Sequence, residues 1–298
     1  MTTTVSPAAP WEAGSAEQTT ESVPKTDRCV YWVPLIAISL VHVGALLAFL
    51  PSFFTWRALG TAVVLAIVGG LGITVGYHRL LTHRSFRAPK PLEYLLSWIG
   101  SLNWQGGPIK WTATHRLHHQ HSDDDEDPHS PRHGFFWSHA WWVFTFDPRF
   151  DPFDKYRRYA EDLARDRGHL LIERSLGVSQ FLLAAALYAW GGWPCVVWGV
   201  FVRLVYAYHS TWFVNSAAHV WGYRTYETTD DSRNLWWVAL TSFGEGWHNN
   251  HHAYPRSARH GMKRWEIDVS WLAIRGLRLV GLARDVRLPE QGASRALQ

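Results

Sequence analysis

Four apolar runs constrain what this 298-residue chain can fold into. Tyr31–Leu50 reads YWVPLIAISLVHVGALLAFL and Ala58–Val75 reads ALGTAVVLAIVGGLGITV. Ser175–Trp193 is followed directly by Pro194–Val214, and Gly191-Gly-Trp-Pro194 separates the two. A helix of about 20 apolar residues crosses a ~30 Å hydrocarbon core. Inside lipid a segment must satisfy its own backbone N–H and C=O groups, which makes helix the expected form. Arg203 is the one charge in the fourth run; it either faces the bundle or marks a shorter span. An aromatic content of 15%, with 19 Trp, suits a chain that meets two membrane interfaces.

Three weaker stretches are expected to lie at the interface rather than to cross. Leu92–Ile109 carries Asn103 and Gln105 and ends in Gly106-Gly-Pro108, Leu235–Phe243 is short, and Trp265–Leu282 is interrupted by Arg275 and Arg278. Orientation follows from Lys and Arg. Lys25 and Arg28 precede the first run, the 77–174 segment is rich in both, and so is the C-terminal segment. The connector between the first two runs has only Arg57. Four crossings therefore place both termini and the middle loop in the cytoplasm. Residues 1–27 are expected to be a disordered tail rather than a signal peptide, since they lack an apolar stretch. The membrane domain then runs over 28–288, with a second tail over 289–298. Cys29 and Cys195 fall at opposite ends of spans and cannot pair.

Every histidine-rich cluster abuts a long apolar run. The clusters are His78-Arg-Leu-Leu-Thr-His83, His115-Arg-Leu-His-His119, Asn215-Ser-Ala-Ala-His219 and His248-Asn-Asn-His-His252. With four crossings, nine of the 17 histidines lie on one side of the membrane. Residues three and four apart share a helix face, so His115, His118 and His119 are expected to converge on one point, and His248, His251 and His252 to repeat that geometry. Neutral imidazole is a common ligand of transition metals. Nine donors exceed one ion and suit two.

Zinc hydrolases usually take three protein ligands. Two ions held almost wholly by imidazole point instead to iron and dioxygen. The Glu-x-x-His pattern of soluble di-iron bundles is missing at these clusters. Asn215 stands one helical turn before His219, placed to hold a metal-bound water or simply to pack. The acidic run Asp123–Asp127 is expected to be mainly solvated, with Asp127-Pro-His129 able to orient ligands from behind. Among the remaining histidines, His129 and His139 are the ones expected behind the ligands; His42, His209, His260 and the rest are read as ordinary. The pI near 9.1 reflects Arg-rich cytoplasmic anchoring, not nucleic-acid binding. The two cysteines are too few for an iron–sulfur cluster.

HRLLTH, HRLHH, NSAAH and GEGWHNNHH, in this order, resemble the membrane fatty-acyl desaturases of the stearoyl-CoA (delta-9) type, and the likeness extends over residues 30–288. It includes DPHSPRHGFFWSHAWW and WGYRTY. The resemblance implies an all-α integral membrane protein: four transmembrane helices, over about 31–50, 58–75, 175–193 and 194–214, with a cytosolic helical cap holding a di-iron site. Carried over by position, the metal ligands are His78, His83, His115, His118, His119, His219, His248, His251 and His252, with Asn215 acting through water. The acyl tunnel of the family bends at residues matched here by Gln105, Trp111 and Thr211. The implied reaction is insertion of a cis double bond into a saturated acyl chain, using two irons, O2 and an external donor such as ferredoxin or a b-type cytochrome with its reductase. The chain departs from animal acyl-CoA members in two places. Ala113-Thr114 stands where they carry Arg-Asp, and Phe146-Asp147 stands where they carry a basic pair. Phosphates favour Arg and Lys, so the carrier can be a lipid as well as CoA. A lipid hydroxylase on the same scaffold, and a histidine-rich metal transporter or sensor, are the alternatives.

Overall fold

A computed structural model describes residues 4–5 and 28–289. The tails expected over 1–27 and 289–298 fall outside the described residues, except that Thr4–Val5 pairs in parallel with Leu288–Pro289. Three helices are long and apolar enough to cross a membrane: Trp32–Phe49, Trp56–Thr82 and Leu176–Val220. The first is the least enclosed, with Trp32, Val33, Leu40 and Val43 all more than half exposed. That exposure is what a lipid-facing surface requires, since lipid tails are as apolar as these side chains.

Two of the expected boundaries change. The second apolar helix does not stop near Val75 but runs to Thr82, so that His78 and Arg79 belong to the same rod. Its last part, Gly72–Thr82, winds as a π-helix. The expected third and fourth spans form one helical stretch of 45 residues. A straight helix of that length would reach about 68 Å, twice the hydrocarbon core. It is not straight: Gly191 (φ −160°) and Gly192 (φ +66°) leave helical geometry. A Cβ built at Gly199 would lie only 2.8 Å from Leu187 Cδ1, so the chain folds back on itself at the glycine pair. Glycine is needed at 192, because other residues rarely adopt that φ.

Arg203 faces the bundle. It is 2% exposed and donates to Gly199 O (2.7 Å), Leu102 O (2.9 Å) and Asn103 Oδ1 (3.2 Å). Asn103 in turn donates to Gly69 O at 2.8 Å. Leu102 O caps the end of the Lys90–Ser101 helix, before the chain turns into the Pro108–Gln120 helix. Neither of those helices is among the membrane-crossing ones, in line with the interfacial reading of Leu92–Ile109. Cys29 and Cys195 are both free.

The Lys90–Ser101 helix packs on the π-helical segment at a crossing of small residues. A Cβ at Gly72 would sit 2.5 Å from Gly100 N, and one at Gly100 would sit 2.9 Å from Gly72 O. Close backbone approach of this kind permits no side chain. Gly72→Val is therefore expected to force the helices apart and to destabilise by at least ~1–3 kcal/mol, the usual range for overpacking. Thermal unfolding in detergent measures it, and an unchanged midpoint would contradict this packing.

Candidate metal centre

The π-helical winding explains His78 and His83. In an α-helix, residues five apart are about 140° apart around the axis and cannot share a site. Here His83 N donates to His78 O at 3.1 Å, the i→i+5 bond that brings such residues into line. The two rings lie 4.7 Å apart. Nothing in the spacing of HRLLTH announces this winding.

His115, His118 and His119 come from the Pro108–Gln120 helix, and His248, His251 and His252 from the six-residue His248–Ala253 helix. So short a helix has little stability of its own. The two asparagines between its histidines pin it. Asn249 Oδ1 accepts from Thr225 N and Tyr226 N, and Asn250 donates to His260 O and to Glu266, all at 2.7–2.9 Å. Just upstream, Gly246 lies against the backbone of Ala239, where a Cβ would come within 2.1 Å of Ala239 N.

The expected convergence of each triplet on one point is not what forms. The nine imidazoles divide into His78, His83, His115, His119 and His251 on one side and His118, His219, His248 and His252 on the other, each group with ligand atoms within 4.8 Å of one another. On a helix, i+3 and i+4 fall on opposite flanks of residue i, about 60° and 40° away. So His115 and His119 serve one group and His118 the other; His248 and His252 serve one and His251 the other. Each helix feeds both groups, which places the two side by side.

The rings point their Nε2 atoms inward. His119 Nε2 lies 3.1 Å from His115 Nε2 and 3.0 Å from His251 Nε2, and His248 Nε2 lies 3.0 Å from His219 Nε2 and 3.1 Å from His252 Nε2. The outer Nδ1 atoms of four rings meet carboxylates. His118 donates to Asp127 (2.8 Å), His252 to Asp230 (2.7 Å) and His219 to Asp123 Oδ2 (3.3 Å), and His78 Nδ1 stands 2.7 Å from Glu245 Oε2. A neutral imidazole that donates through Nδ1 presents a lone pair at Nε2. The Nε2 atoms of His118 and His252 face each other 3.4 Å apart. Burial, then mutual repulsion among the rings, holds His83, His115, His119, His248 and His251 well below the usual histidine pKa. For His118 burial works downward, but Asp127 more than offsets it and the net shift is upward. Uncharged imidazoles, with outer nitrogens oriented by carboxylates, are the donor set of a transition-metal site.

Sequence reading placed some supporting residues and missed others. The acidic run splits: Asp123 and Asp127 are each 1% exposed, whereas Asp124 and Asp125 project into solvent. Asp127 also accepts from Asp123 N and His129 N, both at 3.0 Å, which commits its oxygens to orienting His118. The His129 ring lies tilted against His118 at 4.4 Å, behind the ligand as expected. His139 is corrected: it meets His209 (3.0 Å) and Ser216 Oγ (2.9 Å), because its helix, Phe135–His139, packs on the opposite face of Arg203–Asn215. Glu245, Asp230 and His260 were not anticipated. Glu245 stands in GEGWH and could have been suspected from that position; Asp230 and His260 carry no local signal. His260 lies 4.5 Å from the His251 ring and 3.1 Å from Glu245.

An apolar cavity opens beside the two groups and reaches His78, His115, His248 and Asn215. Gln105, Trp111 and Thr211 all line it, among Ala66, Gly70, Ile73, Val214 and Phe243. Trp111 stacks on His115 at 5.1 Å, and Gln105 donates to Ala207 O at 2.9 Å. A largely apolar cavity ending at convergent polar groups is the usual form of a small-molecule site.

The fatty acid desaturase family model matches residues 54–271. An sn-1 stearoyl-lipid 9-desaturase of Synechocystis sp. is 49% identical over 264 residues, covering 88% of this chain and 82% of its own. An sn-2 palmitoyl-lipid 9-desaturase of Nostoc sp. is 50% identical, covering 88% and 93%. Delta-9 acyl-lipid desaturase 1 of Arabidopsis thaliana is 45% identical, covering 89% and 86%. With the histidine clusters, the cavity and the long apolar helices all inside or bordering that match, the chain belongs to the fatty acid desaturase family.

Proposed function

We propose that this chain is an oxygen-dependent acyl-lipid desaturase that inserts a cis double bond at carbon 9 of a saturated acyl chain. The observation that carries the reading is the apolar cavity ending between two groups of converging imidazoles. His78, His83, His115, His119 and His251 hold one iron; His118, His219, His248 and His252 hold the other, with Asn215 acting through water. Bound iron supplies the dioxygen chemistry needed to break unactivated C–H bonds. The chain's own residues do the positioning. Gln105, Trp111 and Thr211 bend the acyl chain so that one carbon pair lies at the metal end. The apolar wall from Ala66 to Phe243 excludes water, which fixed geometry requires to be productive. Electrons come from a separate protein, a ferredoxin or a b-type cytochrome with its reductase.

The lipid carrier is supported by the two positions where animal acyl-CoA members are charged. Ala113 is fully buried and Thr114 donates its hydroxyl to Lys110 O at 2.9 Å, so neither reaches outward. Asp147 is held by Arg28 (3.0 Å) and Arg149 (2.6 Å), which places a carboxylate where a phosphate would need a cation. Each lost charge-assisted phosphate contact weakens binding by ~1.5–3 kcal/mol. Purified enzyme with a reductant is offered stearoyl-CoA and an 18-carbon lipid side by side, and products are read as fatty-acid methyl esters. A delta-9 monoene formed preferentially from the lipid is expected. Preference for the thioester would overturn the carrier; a hydroxy acid would point to the hydroxylase alternative, and no product to metal handling.

The same reading requires four crossings with both termini and the metal centre in the cytoplasm. The fold-back at Gly191-Gly192 supports it, since it turns one 45-residue stretch into two passes. Reporter tags at residue 1, near Arg165 and at residue 298 are expected to read cytoplasmic, and one between Gly191 and Pro194 outside. An outside signal near Arg165 would refute the arrangement.

A further inference from the structure

The two histidine groups are supported unequally. In the four-histidine group, three rings donate through Nδ1 to aspartates: His118 to Asp127, His219 to Asp123 and His252 to Asp230. All three carboxylates are buried, at 1%, 1% and 6% exposure. Among the described residues none of the three is paired with Lys or Arg. Their remaining hydrogen bonds come from neutral groups: Asp123 N and His129 N on Asp127, Asp231 N on Asp123, Ser232 N and Thr228 Oγ1 on Asp230.

The five-histidine group has a different environment. Its His78 Nδ1 lies 2.7 Å from Glu245, which is shared with His260 at 3.1 Å and pairs with Arg79 at 3.2 Å; Arg79 also pairs with Asp268 at 2.9 Å. His251 Nδ1 is buried without a hydrogen-bond partner among the described residues.

Buried charge must be compensated nearby. Three carboxylates with no Lys or Arg partner around four imidazoles call for more positive charge than Glu245 and Asp268, which share Arg79. Carboxylates behind histidine ligands also raise ligand basicity, and their loss typically changes metal affinity 10–100-fold.

Building on the di-iron reading above, we infer that Asp123, Asp127 and Asp230 make the four-histidine site the one that favours ferric iron, so that the iron of the five-histidine site is reduced first. The aspartates are positioning residues: they touch the ligands and not the substrate. Each reduction is Fe3+ plus one electron giving Fe2+. Dithionite supplies the electrons in the test, and an external donor does so in turnover.

The test uses the full chain in detergent, loaded with 57Fe and checked for two irons per chain. Mössbauer spectra at a series of applied potentials count ferrous iron. Two separate one-electron waves are expected. Asp230→Asn and Asp127→Asn should move the lower-potential wave upward, changing the ferric-to-ferrous ratio at least tenfold, or about 59 mV. The upper wave should stay in place, and Asp230→Glu should restore the lower one. Glu245→Gln should move only the upper wave. A single wave for both irons, or variants that keep two irons with both waves unmoved, would overturn the inference while leaving the di-iron reading intact. Fewer than two irons in the unmodified chain would instead overturn that reading.

Discussion

Replacing His118 or His251 by Ala is expected to abolish desaturation and to remove one iron per chain while the protein still inserts in the membrane. The two residues come from different helices and different groups, so together they test both sites. Both are almost fully buried, at 1% and 0% exposure. An alanine there cannot be replaced as a donor by solvent. Loss of a group that only orients a ligand typically lowers affinity or activity 10–100-fold, and loss of the ligand itself should exceed that. The measurements are iron content of the purified chain and monoene yield in cells. Full desaturation by either variant would refute the assignment of that residue as a ligand.

Arg79→Met is expected to be among the most destabilising single changes. Arg79 is completely buried one residue from His78. It donates to Ala258 O (2.8 Å), Asp268 (3.1 Å) and Glu245 (3.2 Å), and lies 3.2 Å from His260 Nδ1. Asp268 also caps the Val269–Leu279 helix through Trp271 N, so this arginine ties the metal-bearing rod to the C-terminal segment. Removing one partner from a buried ionic group leaves uncompensated charge and costs about 3–5 kcal/mol. Glu245 would then repel Asp268 and hold His78 less firmly, so iron content should fall as well. Thermal unfolding in detergent and iron content are the readouts. The double variant Arg79→Met with Glu245→Gln should recover part of the stability, because it removes one of the stranded charges. A single variant as stable as the unmodified chain would contradict the network.

The division of labour between sequence and tertiary structure follows from the range of the interactions. The apolar runs needed no partner to be legible, because a bilayer imposes length and composition on any helix that crosses it. The histidine clusters were legible as metal donors for a similar reason: spacing within one helix is a local property. Gln105, Trp111 and Thr211 became candidates only through resemblance, and they meet around one cavity although they lie up to a hundred residues apart.

What the sequence could not supply was the sorting of donors between two groups. That depends on how two helices face each other, which is why i+3 and i+4 histidines of one cluster part company. The π-helical winding that aligns His78 with His83 was equally hidden, since it is set by packing against the Lys90–Ser101 helix and not by residue type. Asp230 and His260 reach the centre from loops outside the histidine clusters, and nothing in their neighbourhoods distinguishes a residue that backs a ligand from one in solvent. Asp123 and Asp124 make the point: adjacent residues of the same type, one buried against His219 and the other in water. Local chemistry therefore determined which groups this protein could offer a metal and where the chain could enter lipid. Only the tertiary structure decided which group each histidine joins, because long-range packing alone fixes the direction in which a side chain points.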